Sequence, residues 1–146
     1  LVAAGASLIA VTGTYDLGKT PWAKSIGQEA LLSQASSRFN ESLLVAINDL
    51  SQHVLYVDAA YYVNLYESTP SSFSFNNATT PVCTSVDAGN GIGIGQGQVN
   101  SALCTSATLL PDADADRYVF ADAVYLTPSA HRQLGTYAYD KLRARW

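Results

Sequence analysis

Asp122 and His131 have the types and spacing for acid–base chemistry. They fall in the run Phe120-Ala121-Asp122-Ala123-Val124-Tyr125-Leu126-Thr127-Pro128-Ser129-Ala130-His131. An aspartate just upstream of a Thr-Pro helix start, with a histidine one turn into the helix, can place acid and base on one short loop. In nucleophilic hydrolysis the carboxylate would orient an imidazole, and the imidazole would take the nucleophile's proton. The natural position for the base is three residues after the aspartate, and Tyr125 occupies it. A phenol with a pKa near 10 is a poor acceptor for a serine proton at neutral pH. His131 is then the only nearby candidate for a working base, against a supporting role. The plain alternative for Asp122 is a solvated or helix-capping aspartate. His53, at a helix-to-strand turn, reads as an ordinary surface residue.

The elements expected to position this loop follow from periodicity. Leu8 to Thr12 is a β-type run with apolar side chains on both faces, which suits a buried parallel strand. Gly13 to Pro21 reads as a loop broken by Gly18 and Pro21. From about Gly27 to Gln52 the pattern is helical, with Ala35, Phe39, Leu43, Ile47 and Leu50 on one apolar stripe. Val54 to Asp58 is a second strand, and a short helix follows from Ala59 to Tyr66. Ser68 to Ser85 and the glycine-rich Gly89 to Gly97 are irregular. Tyr118 to Phe120 is a brief third strand or an extended arm. Thr127 caps a final helix that begins at Pro128, with Ala130, Leu134, Ala138 and Leu142 on its core face. The order strand, helix, strand, loop, helix indicates an α/β fold with parallel strands in a single domain, 1–146. So few strands, in a chain that starts abruptly in apolar sequence, suggest a portion of a larger domain, its sheet completed by a missing N-terminal half or by another chain.

Composition narrows the function classes. Of 146 residues, 48% are hydrophobic and 14% charged, which favours a packed core over disorder. A net charge of −4 argues against nucleic acid as a partner. Lys141, Arg143 and Arg145 suit the C-terminal end of a helix. No apolar run approaches the ~20 residues needed to span a bilayer, so no transmembrane segment is expected. Cys83 and Cys104 are the only cysteines and bracket one flexible loop, which favours a disulfide over two free thiols. A disulfide would place the chain in an oxidising compartment: secreted, periplasmic or at the cell surface. No metal or cofactor is expected. Zinc lacks further nearby ligands. Asp112, Asp114 and Asp116 alternate as in a calcium loop, but Arg117 and Ala123 stand where the glycine and glutamate belong. Gly91 to Gly97 lacks the preceding strand and following helix of a phosphate-binding loop.

Several segments together resemble the GDSL-type (SGNH) esterases and lipases, notably their secreted and autotransporter-passenger branch. Ala4-Gly5-Ala6 before a strand, then Tyr15-Asp16-Leu17-Gly18-Lys19-Thr20-Pro21, is similar to one family passage. Phe39-Asn40 with Leu43, and Val54 to Asp58, are similar to the helix and strand that follow. The cysteine-bracketed loop has a counterpart in that branch. Phe120-x-Asp122-x-Val124-Tyr125-x-Thr127-Pro128 resembles the terminal acid–base block, with Tyr125 in place of the histidine and Leu126 in place of the proline. The resemblance runs from about Ala4 to Leu142 and covers the C-terminal half of such an enzyme. It implies part of a flavodoxin-like three-layer α/β/α fold, an ester or lipid substrate, and a serine acyl-enzyme mechanism whose nucleophile lies outside this chain. By the same resemblance Asp122 orients the base. A non-catalytic, degenerate hydrolase module used for binding or passenger structure is the alternative, and an unrelated flavodoxin-like binding domain is a weaker one. Two lookalikes carry little. Gly5-Ala6-Ser7-Leu8 mimics the nucleophile block, yet Ser7 precedes a strand instead of following one. Ala46-Ile47-Asn48-Asp49 mimics the GxND block, yet sits within a helix.

Overall fold

The computed structural model describes all 146 residues. Its elements are β1 (Ile9–Thr12), α1 (Pro21–Ile26), α2 (Glu29–Ile47), β2 (Val54–Val57), α3 (Ala59–Ser68) and α4 (Pro128–Arg145), with short 3₁₀ turns between some of them and a long, mostly irregular connection from α3 to α4. β1 and β2 form a two-stranded parallel sheet with Ile9 opposite Val54 and Thr12 opposite Val57. A parallel pair needs a long crossover, and α1 with α2 supplies it. This is a mixed α/β chain with a small parallel sheet.

Two Thr-Pro pairs start helices by the same local chemistry. The buried Thr20 hydroxyl accepts from the Ala23 N–H at 3.2 Å and donates to the Leu17 carbonyl at 2.6 Å. The buried Thr127 hydroxyl accepts from the Ala130 N–H at 3.2 Å and donates to the Tyr118 carbonyl at 2.7 Å. Each cap satisfies an orphan helix donor, and the proline that follows has no N–H to lose.

The main core joins α3 to the start of α4. Val63, Tyr66, Phe75, Ala78, Val119, Phe120, Leu126 and Ala130 are buried together. The Tyr66 hydroxyl donates to the Ala130 carbonyl at 3.1 Å, so this large side chain satisfies its polar end inside the core. Tyr62 stacks on Tyr137 of α4 at 4.4 Å between ring centroids. The face of α4 fades along its length: Ala130 is buried, Leu134 and Ala138 are half-buried, and Leu142 is exposed.

Three expectations need correction or resolution. The α2 stripe of Ala35, Phe39, Leu43, Ile47 and Leu50 is only in part its packing face: Leu43 and Ile47 are half-buried, while Ala35, Phe39 and Leu50 are exposed. Phe39 is 56% exposed, and the one buried residue of α2 is Ser36. Polar side chains supply the rest of the docking face. The Ser36 hydroxyl accepts from the Leu17 N–H at 3.0 Å, and the Asn40 amide exchanges two hydrogen bonds with the Thr14 backbone at 2.9 and 2.8 Å. β1 is not buried on both faces either. Ala10 and Thr12 are exposed and line a cavity of about 340 Å³ whose other wall includes Leu134 and Ala138 of α4. Tyr118 to Phe120 is an extended arm with isolated bridges, Tyr118 to Asn77 and Phe120 to Leu126, and forms no third strand of the sheet. No helix is long and apolar enough to cross a membrane.

Candidate active site

Asp122 is fully buried, and its carboxylate is satisfied by three backbone N–H groups. Oδ1 accepts from Val124 at 2.9 Å and from Tyr125 at 2.7 Å, which closes the aspartate's own turn. Oδ2 accepts from Ser101 at 3.0 Å, across the chain. A carboxylate out of water must find such donors, and bonds to a charged acceptor are about twice as strong as neutral ones. The plain alternatives for Asp122 therefore fail: it is not solvated, and the helix cap is Thr127.

The DLG-TP passage holds this turn in place. Asp16 accepts from the Gly18 N–H at 2.9 Å and from the Ser33 hydroxyl at 2.7 Å, which sets the tight bend. A Cβ at Gly18 would collide with the Ser33 hydroxyl and the Glu29 carbonyl, so the bend admits only glycine at that approach. On either side of the bend a contact reaches the candidate loop. The Tyr15 hydroxyl donates to the Val124 carbonyl at 2.6 Å, and the Trp22 N–H donates to the Ala123 carbonyl at 2.9 Å. Burial, then the nearby Asp122 carboxylate and Tyr125, push the Tyr15 phenol up to about 12. Tyr15 is thus a neutral hydrogen-bond donor over the ordinary pH range.

Tyr125 points its backbone N–H at Asp122, and the residue is 48% exposed. The ring borders a cavity of about 460 Å³ shared with Gly91, Ile92 and Ala102. His131 lies on α4, is exposed, and is not among the three partners of Asp122. It lines a second cavity of about 470 Å³ with Ala121, Leu126, Ser101 and the cysteines. The Asp122 loop is therefore flanked by two open spaces, one bordered by Tyr125 and one by His131.

Cys83 and Cys104 form a disulfide. Ser101, Tyr15 and Trp22 had no place among the candidate site residues. Ser101 and Trp22 act through backbone N–H groups, which residue identity does not report. Tyr15 was visible only as the first residue of the DLG-TP passage. Among the other candidates, Asp112, Asp114 and Asp116 form an exposed turn in which Asp114 pairs with Arg117 at 3.7 Å and Asp116 with Arg132 at 3.2 Å. Ser7 is exposed ahead of β1, and Asn48 is exposed at the end of α2. His53 is half-buried, and its carbonyl accepts from the Ile9 N–H at 2.9 Å.

No family model matches the chain. Two curated relatives align over nearly all of it. One is a GDSL esterase/lipase of Arabidopsis thaliana, 26% identical over 97% of this chain. The other is an uncharacterized protein from the trpE-trpG intergenic region of Pseudomonas putida, 27% identical over 97% of this chain. The chain spans 37% of the first relative's length and 22% of the second's.

Proposed function

We propose that this chain is the C-terminal portion of an SGNH-type carboxylic-ester hydrolase domain, with Asp122 as the acid of its Ser-His-Asp set. The observation that carries the reading is the Asp122 turn. A buried carboxylate binds the N–H of the residue three positions on, immediately before a Thr-Pro helix start. A base at position 125 would follow a buried anion of the kind that orients and stabilises an imidazolium. The likeness to a GDSL esterase/lipase over nearly the whole chain supports the same reading.

In this reading the serine and the oxyanion donors lie outside these residues. The ester's acyl group passes to the serine and then to water. Asp122 orients the base, Tyr125 occupies the base position, and His131 is a secondary candidate across the loop. The two-stranded sheet and the uncovered apolar residues of α2 support further strands completing a three-layer α/β/α domain. The disulfide supports a secreted, periplasmic or cell-surface location, including an autotransporter passenger.

Tyr125 favours a second reading, a hydrolase-derived module retained for binding or passenger structure. A fluorophosphonate probe separates the two. The chain alone should neither label nor hydrolyse p-nitrophenyl butyrate. A longer protein carrying the preceding coding sequence should label stoichiometrically at one serine. Labelling of the isolated chain would refute an external nucleophile, and an unlabelled longer protein would favour the binding module.

A further inference from the structure

The disulfide and Asp122 belong to one small ring of contacts. The Cys83 N–H donates to the carbonyl of Ala121, the residue before Asp122, at 3.0 Å. Cys104 closes the 3₁₀ turn that begins at Ser101, its N–H donating to the Ser101 carbonyl at 3.1 Å. The Ser101 N–H in turn donates to Asp122 Oδ2 at 3.0 Å. The crosslink thus ties the segment that carries the third donor to the segment that carries the carboxylate. The other two donors, Val124 and Tyr125, come from the aspartate's own turn and need no such tie.

We propose that Cys83, Cys104 and Ser101 are positioning residues for Asp122, with the disulfide holding the Ser101 N–H on the carboxylate. Reduction opens the ring: a dithiol gives two electrons and two protons, becomes a cyclic disulfide itself, and leaves two thiols at Cys83 and Cys104. The loop from Thr84 to Leu103 then loses its covalent closure, and the buried carboxylate loses its only donor from outside its own turn. The clamp stands on the contacts alone; its consequence for ester hydrolysis rests on the function proposed above.

Amide hydrogen exchange and amide chemical shifts of this chain, oxidised and dithiol-reduced, test the clamp. On reduction the Ser101 amide should exchange roughly tenfold faster or more, a change of about 1.4 kcal/mol in local opening. The Val124 and Tyr125 amide resonances should shift, while amides within Glu29–Ile47 keep their protection. Ser101→Pro gives the same shifts at Val124 and Tyr125 with the disulfide intact. Proline at this position removes the donor and sets its Cδ where the N–H pointed, against Asp122 Oδ2, so it forces the Ser101 segment off the carboxylate; the backbone itself accommodates proline, because Ser101 opens its 3₁₀ turn and Asn100 is already extended, with φ −116° and ψ 112°. Ser101→Ala keeps the N–H and should match the parent. Unchanged Ser101 and Tyr125 amides on reduction would overturn the proposal, as would faster exchange spread evenly through α2. If the reduced chain unfolds, Ser101→Pro decides: a parent-like Tyr125 amide refutes the clamp. In the longer protein with Tyr125→His, hydrolysis that falls with reduction supports the functional consequence, and hydrolysis indifferent to reduction refutes it. Absence of hydrolysis in either redox state refutes the hydrolase reading instead.

Discussion

The Tyr15 hydroxyl donates to the Val124 carbonyl at 2.6 Å, joining residues 109 apart in sequence. It pins the middle of the Asp122 turn from the segment after β1. Tyr15→Phe should cost about 1 kcal/mol in urea unfolding, the usual net value of one hydrogen bond. The pH dependence follows from the raised phenol. Its folded pKa of about 12 lies above the ordinary 10.0, so the unfolded chain releases this proton first as pH rises. The contribution is complete below pH 10.0 and is lost as pH climbs toward 12. Stability measured across that interval should fall more steeply in the parent than in Tyr15→Phe.

Asp122→Ala should be among the most damaging single changes in the chain. It strands three backbone donors in a buried site, and each unsatisfied group costs about 1–3 kcal/mol. A loss of about 3 kcal/mol or more is expected in chemical denaturation. Tyr125→His should shift stability by less than about 0.5 kcal/mol, because only the backbone of Tyr125 bonds to Asp122 and the residue is half-exposed.

Glu67 ties α3 to the DLG-TP segment. It pairs with Lys19 at 3.0 Å and Lys24 at 3.2 Å. Burial pushes the Glu67 carboxyl up, but the hydrogen bonds and charges of both lysines outweigh it, and the net shift is downward from 4.5. A depressed carboxylate contributes stability above its ordinary pKa and loses it as pH falls through the folded value. Glu67→Gln should cost about 0.5–1 kcal/mol at pH 7, in the range of solvent-screened pairs. The difference between parent and variant should close as the solution is acidified below pH 4.5.

Gly18→Ala tests the bend that carries Tyr15 and Trp22 to the candidate loop. The added methyl meets a backbone carbonyl and a hydroxyl, so the bend must open. A cost of about 1–3 kcal/mol is expected, as for overpacking of a tight contact. The Ala123 and Val124 amide resonances should move with it; a silent Val124 would show that the bend does not position the turn.

Local chemistry was legible in the sequence where one residue and its immediate neighbours decide the outcome. Thr127-Pro128 announces its helix because cap and fixed φ act within one turn, and two cysteines around one loop announce their bond. The α2 stripe misled at Ala35, Phe39 and Leu50 because periodicity identifies an apolar face without saying what covers it. Ser36 and Asn40 dock the helix through hydrogen bonds to backbone, a preference no hydropathy pattern records. β1 misled in the same way: its apolar run suits burial, yet no layer within this chain packs fully against Ala10 and Thr12. The environment of Asp122 was hidden for another reason. Its partners are main-chain N–H groups, and Ser101 lies 21 residues away.

Hydrolysis of p-nitrophenyl butyrate by the longer protein, in a Tyr125→His background with and without Asp122→Ala, tests the Asp122 turn most directly. Removing the acid of a working triad lowers kcat by roughly 10⁴-fold. The account predicts turnover in Tyr125→His well above the parent, and a loss approaching that size when Asp122→Ala is added to a protein that still folds. Equal rates for the parent and Tyr125→His, or turnover that survives Asp122→Ala, would contradict it.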